Sequence, residues 1–295
     1  MLRLALFALF AITPMMAMDT PLLTWPDLTS RARPAPNATI AYGSDTYQKV
    51  DLWLPKGDGR HPVVLMVHGG CWQTEIADRT LMNWIADDLR GRGIAVWNID
   101  YRGVDRPGGG YPGTFQDAAA AADALAANAA RYQLDLKHVV AVGHSAGGHL
   151  ALWLAGRAKL PKGSVLRTAH PLPIKHVISL GGLPDLEATA ASPDNGCGTD
   201  IIARLTGPKT AAHTDVFADT SVPRLLPIGV PQDLVNGEND RIIPMRLGIN
   251  YGAQASKAGD KAVLHRIPAT GHVELIAPES VAWGKARSLI MGALK

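Results

Sequence analysis

The sequence predicts an α/β fold with a mostly parallel central sheet and helices on both faces, and three observations carry that expectation. Continuous apolar runs recur along the chain: Val63-Val64-Leu65-Met66-Val67, Ile94-Ala95-Val96-Trp97, Val139-Val140-Ala141-Val142 and, nearly so, Val177-Ile178-Ser179-Leu180. Such runs suit strands covered on both faces, as in a parallel sheet. Segments of helical length separate them, and alternation of buried strand with helix marks this class. A chain of 295 residues, 47% hydrophobic and 19% charged, is long enough to bury the core that such a sheet requires.

In chain order, the first seventeen residues read as an export signal. Arg3 supplies a short basic region, Leu4 to Ile12 an apolar stretch, and Pro14-Met15-Met16-Ala17 a cleavage region, with the cut expected after Ala17. An uncleaved anchor is the rival reading, against which the apolar run is shorter than the roughly 20 residues a spanning helix needs. No later run reaches that length, so no stable membrane insertion is expected once the signal is removed, and the protein is expected outside the cytoplasm. Met18 to Asn37, rich in Pro, Thr and Arg and without apolar period, reads as an extended arm. The α/β domain is expected over residues 38–295.

Thr39 to Tyr42 and Val50 to Leu54 flank a polar turn as a hairpin would. After the first buried strand, helices are expected at Arg79 to Arg92, Thr114 to Tyr132 and His149 to Lys159, each between two apolar runs. The alanine run Ala118 to Ala127 reads as helix surface or close helix–sheet packing. Two further units follow, with strands near Leu225 to Val235 and Ala262 to Ile267 and helices near Pro244 to Ala258 and Pro278 to Leu294. The stretch from Gly182 to Val222 breaks the alternation, and a long loop inside a compact domain is usually functional. It reads as a small cap over the carboxyl ends of the strands, where open α/β sheets bind ligands.

Gly143-His144-Ser145-Ala146-Gly147 follows one strand directly and opens a helix. A serine on so sharp a strand-to-helix turn is presented above the sheet, and the turn demands small neighbours. The helix amino terminus behind Ser145 places N–H groups where an oxyanion would form. His68-Gly69-Gly70-Cys71-Trp72 follows the strand Val63 to Val67, the place of a glycine loop whose backbone approaches a substrate oxygen. Gly70, Cys71 and Ala146 are therefore the expected oxyanion donors, and His68 a brace for the loop rather than a ligand or base.

The remaining members of a serine triad should follow in the order acid, then histidine. Gly237-Glu238-Asn239-Asp240 lies past a strand and offers two carboxylates, Asp240 as the expected acid and Glu238 as its rival, while Asp233 falls within the strand. Gly271-His272 follows the final strand, where the base belongs. His265 lies within that strand, and His144 and His149 flank the serine as structural histidines.

These motifs resemble those of esterase/lipase-type α/β-hydrolases, of the branch related to feruloyl-esterase-like enzymes and kynurenine formamidases, which carry His-Gly-Gly-x-Trp and Gly-His-Ser-Ala-Gly. The likeness runs from about Asp51 to the C-terminus and includes Asp100-Tyr101-Arg102 and Gly110-Tyr111-Pro112-Gly113-Thr114-Phe115. Hormone-sensitive-lipase relatives have a third glycine where Cys71 stands, which sets this chain outside that group. The resemblance implies an α/β-hydrolase fold and acyl transfer from a small-molecule ester through Ser145, His272 and Asp240. Arylformamidase action and a prolyl-oligopeptidase-like peptidase are the alternatives, and a binding-only member of the fold a third. Too few residues precede Val63 for the amino-terminal propeller of the peptidases.

No cofactor or metal is expected: the sequence has no H-E-x-x-H and no clustered Cys/His spacing, and Gly108-Gly109-Gly110 lacks the Lys-Ser/Thr of a phosphate loop. A formal net charge of +3 is too balanced to suggest a nucleic-acid partner. The two cysteines, Cys71 beside the oxyanion loop and Cys197 in the cap, are expected to pair in an exported protein, with two buried thiols as the other outcome.

Overall fold

The computed structural model describes residues 21–295, so the export-signal reading of residues 1–17 lies outside the described residues. One eight-stranded sheet organises the chain. The strands β1 (Ala38–Ala41), β2 (Lys49–Trp53), β3 (His61–Val67), β4 (Ala95–Ile99), β5 (Leu134–His144), β6 (His176–Leu180), β7 (Gln232–Gly237) and β8 (Ala262–Ile267) are arranged in the order β1-β2-β4-β3-β5-β6-β7-β8. β1 and β2 form an antiparallel hairpin, β2 runs antiparallel to β4, and every other pairing is parallel.

The helices are α1 (Trp25–Thr29), α2 (Asn83–Arg90), α3 (Gly113–Asn128), α4 (Ala146–Gly156), α5 (Leu186–Ala190), α6 (Thr199–Thr206), α7 (Met245–Lys257) and α8 (Val281–Ala293). Because side chains alternate across a strand, β3 feeds two apolar layers. Val63, Leu65 and Val67 join one with residues of α3, α4 and α7, while Val64 and Met66 join the other with residues of α2 and α8. Within α3, Ala118, Ala119, Ala121 and Ala122 are buried, and Trp97 Nε1 donates to the carbonyl of Ala121 at 2.8 Å. The alanines thus let the helix backbone lie close to the sheet.

Two expectations need correction. The strand expected over Leu225 to Val235 begins only at Gln232, after a 3₁₀ turn over Val222–Leu225. Pro227 and Pro231 lie in that interval, and proline has no N–H to give a central ladder. The arm over residues 18–37 is not simply extended, because α1 interrupts it. The Asp27 carboxylate accepts from the Thr24 backbone N–H at 2.7 Å and the Thr24 hydroxyl at 2.6 Å, and Pro26 sits in the first turn. Thr24-x-x-Asp27 with Pro26 inside it is a helix-start signal readable in the sequence.

The segment 182–222 carries α5 and α6 between β6 and β7. Among the described residues no helix is long and apolar enough to cross a membrane.

Candidate active site

Ser145 sits between β5 and α4 with φ 55° and ψ −123°, a left-handed backbone held by its N–H donating to the carbonyl of Leu180 at 2.8 Å. A non-glycine residue in this region costs on the order of 1–3 kcal/mol and persists only where its surroundings over-determine it. Here they do: α4 is buried along nearly its whole length, so the turn cannot relax outward. Gly147 allows the close approach, since a Cβ there would lie 2.2 Å from the carbonyl oxygen of Val67. The loop after β3 is thereby brought against the start of α4.

That loop has Gly70, Cys71 and Trp72 all at positive φ, 104°, 52° and 55°. Gly70 and Cys71 line, with Ser145, a cavity of about 290 Å³. Ala146 is the first residue of α4, so its N–H has no acceptor within the helix. Gly70 and Cys71 thus share the cavity of Ser145, and Ala146 adjoins the serine at the start of α4.

His68 lies beneath the loop. Its Nδ1 is 2.6 Å from the Gly69 carbonyl, its Nε2 is 2.9 Å from Asp100 Oδ1, and its ring stacks on Tyr101 at 4.4 Å. Arg79 donates to the other oxygen of Asp100 at 2.8 Å, so the loop rests on a buried polar chain. Cys71 is joined to Cys197 by a disulfide across 126 residues, which ties the segment between β6 and β7 to the rim of the cavity. Gly196, next to Cys197, lines the same cavity.

His272, in the loop after β8, is 5% exposed and lines the cavity with Ser145. Its Nδ1 is 2.6 Å from Asp240 Oδ2, and Asp240 Oδ1 accepts the backbone N–H groups of Ile242 and Ile243 at 2.9 and 2.8 Å. Both carboxylate oxygens are thus committed, one to the loop that holds the residue and one to the imidazole. Among the described residues no hydrogen bond joins Ser145 to His272, and catalytic hydrogen bonds often tighten only with substrate bound. The other candidates lie elsewhere. Glu238 points to Arg266 at 3.2 Å, and Asp233, on β7, takes His176 and His265 on its two oxygens at 2.6 Å each.

Sequence reasoning read His144 as a structural histidine and did not single out Trp25 or Ile242, and all three line the cavity. His144 is 1% exposed, its ring lies 4.4 Å from that of His272, and its Nε2 is 3.2 Å from the His272 carbonyl. Burial, reinforced by the neighbouring His272, pushes its pKa well below the usual histidine value. The neutral ring therefore donates through Nε2–H and positions the backbone of His272. Trp25, from α1, stands edge-on to both imidazoles at 6.2 Å. Ile242 closes the cavity beside Gly196. His149 is structural: it accepts from Trp72 Nε1 at 3.3 Å and donates to the Thr220 carbonyl at 2.8 Å, and burial lowers its pKa to about 4.

A sheet in this strand order, with a serine on the turn after β5 and a histidine after β8, is that of the α/β-hydrolases. Solved structures share it at low sequence identity. An esterase B from Lactobacillus rhamnosus superposes with a TM-score of 0.73 at 18% identity, covering 89% of this chain and 87% of that one. A truncated carbohydrate esterase from gut microbiota gives 0.70 at 18% identity, covering 89% and 98%. Esterase 2 of Thermogutta terrifontis, phosphonylated by sarin, gives 0.70 at 19%, covering 90% and 95%.

The chain belongs to the BD-FAE family, whose model matches residues 50–251, and this membership marks it as an esterase-type hydrolase. A probable isoprenylcysteine alpha-carbonyl methylesterase of Arabidopsis thaliana is 31% identical over 114 residues, 38% of this chain. That match spans about a quarter, 26%, of the plant protein's length.

Proposed function

We propose that the protein is an exported serine hydrolase that cleaves small-molecule carboxylic esters of short or soluble acyl groups, a carboxylesterase acting through an acyl-enzyme on Ser145. The observation that carries this reading is the Asp240–His272 hydrogen bond at 2.6 Å, set beside the strained serine in one small cavity. His272 Nε2 takes the Ser145 proton as Oγ bonds to the ester carbonyl carbon. The resulting oxyanion is received by the N–H groups of Gly70, Cys71 and Ala146. His272 then passes its proton to the departing alcohol. Water repeats the sequence on the acyl-enzyme and frees the acid.

Asp240 holds the proton on Nδ1, leaving Nε2 unprotonated toward the serine, and stabilises the imidazolium as it forms. A cavity of about 290 Å³ lies at the small end of ligand pockets, which supports a short acyl group. The Cys71–Cys197 disulfide supports an oxidising location, since such bonds are rare in the cytosol.

A substrate panel tests the reading, with p-nitrophenyl acetate, butyrate and dodecanoate beside N-formylkynurenine. Acetate and butyrate should be cleaved best. Formamide hydrolysis far faster than that of every ester would replace this reading with an arylformamidase.

A further inference from the structure

The amino-terminal segment is built into the wall of the candidate site. Leu28 is fully buried in the core layer formed with α2 and α8. The chain after it is held by Trp84 Nε1 donating to the Ala32 carbonyl at 3.2 Å and Asn83 Nδ2 donating to the Pro34 carbonyl at 3.0 Å. At the near end one buried carboxylate joins the arm to the histidine loop. Glu274, 8% exposed, accepts the N–H of Leu23 on one oxygen and the N–H of Gly271, next to His272, on the other. The position of α1 is therefore tied to that of the imidazole, which sets the half-buried Trp25 beside it.

Trp25 borders two spaces. One is the cavity of about 290 Å³ that contains Ser145, and the other is a groove of about 510 Å³ lined by Leu22, Leu23, Asn239 and Arg241. Among the described residues, only Trp25, Ile242 and His272 belong to both. His272 is held by Asp240 and cannot yield, which leaves Trp25 and Ile242 as the partition.

Resting on the ester-hydrolase reading above, we propose that Trp25 is the specificity-determining residue of this site, the barrier that keeps the acyl chain within the serine-side cavity and so limits the enzyme to short acyl esters. With the indole in place, both halves of an ester must share the smaller space. Without it, a longer chain can run past His272 into the adjoining groove. Buried methylenes then gain apolar contact, and each can be worth 10-fold or more in discrimination.

The test is a series of p-nitrophenyl acetate, butyrate, octanoate and dodecanoate on the full-length wild type, Trp25→Ala and Trp25→Phe, with melting curves for each. In Trp25→Ala the octanoate-to-acetate ratio of kcat/KM should rise at least 10-fold, mainly through KM, while Trp25→Phe should shift it by less than about 3-fold. If Trp25→Ala fails to fold, Ile242→Ala opens the same partition from the other side and should shift the ratio in the same direction. An unchanged ratio in a folded variant, or an equal fall in kcat for every chain length, overturns the proposal. Fluorophosphonate labelling of Ser145 separates the two ideas. Labelling with an unchanged ratio removes only the barrier, whereas a wild type that neither labels nor hydrolyses esters removes the functional reading.

Discussion

Replacing Asp240 by asparagine tests the acid–base arrangement with almost no change of shape. Asp240 Oδ1 receives two backbone N–H groups, from Ile242 and Ile243, so the amide oxygen of an asparagine must stay on that side. Turning the amide around would set its NH₂ against two donors in a buried site. Its nitrogen therefore faces His272 Nδ1, where the carboxylate stood at 2.6 Å. That nitrogen donates, so Nδ1 must become the acceptor and the imidazole proton moves to Nε2, the atom that should take the proton of Ser145. Loss of the correct tautomer and of the charge opposite the imidazolium should cost roughly 10⁴ in kcat, about 5 kcal/mol of transition-state stabilisation. KM should change little, because Asp240 does not line the cavity that holds Ser145. Steady-state kinetics with p-nitrophenyl butyrate would measure both parameters, with Glu238→Gln as the control. Glu238 faces Arg266 and should alter the rate by no more than about 2-fold, the scale of an exposed ion pair. A Glu238→Gln more damaging than Asp240→Asn would refute the assignment.

Three other outcomes follow from the same geometry. Ser145→Ala should lower turnover by about 10⁶, and a fluorophosphonate probe should label the wild type at Ser145 alone; labelling that persists in the variant would remove Ser145 as nucleophile. Replacing both Cys71 and Cys197 by alanine removes a link across 126 residues and should lower unfolding stability by about 2–5 kcal/mol in urea titrations, so a variant as stable as the oxidised wild type would contradict that role. His149 has its pKa depressed to about 4 by burial, so the unfolded chain binds the proton first as pH falls. Its contribution is complete above about pH 6.5 and lost as pH drops toward 4, worth on the order of 3 kcal/mol. His149→Gln should flatten the wild type's dependence of stability on pH across that window, and an unaltered slope would show that other groups set it.

Much of the fold was legible because it rests on short-range pattern. Apolar runs such as Val63 to Val67 mark buried strands whatever surrounds them, and the strand–serine–helix junction at Ser145 follows from small residues on a sharp turn. Strand limits were less legible near proline, as at Pro227 and Pro231, where loss of an N–H ended an apolar run that composition would have continued. The start of α1 was available in Thr24-x-x-Asp27 and was masked by the surrounding proline and arginine.

What the sequence by itself determined was the class of fold, the chain order of serine, carboxylate and histidine, and the two loops that frame the cavity. These depend on periodicity and on local turn chemistry, which a few adjacent residues dictate. Tertiary structure supplied the contact that separates Asp240, which the sequence favoured, from Glu238 two residues away, because the N–H groups of Ile242 and Ile243 hold the Asp240 carboxylate against His272 while Glu238 faces Arg266. It also decided that Trp25 stands over the imidazole some 250 residues further along, held there by Glu274 and by the burial of Leu28. Contacts of that span arise only when the whole sheet has assembled, because nothing in either segment's own pattern requires the other.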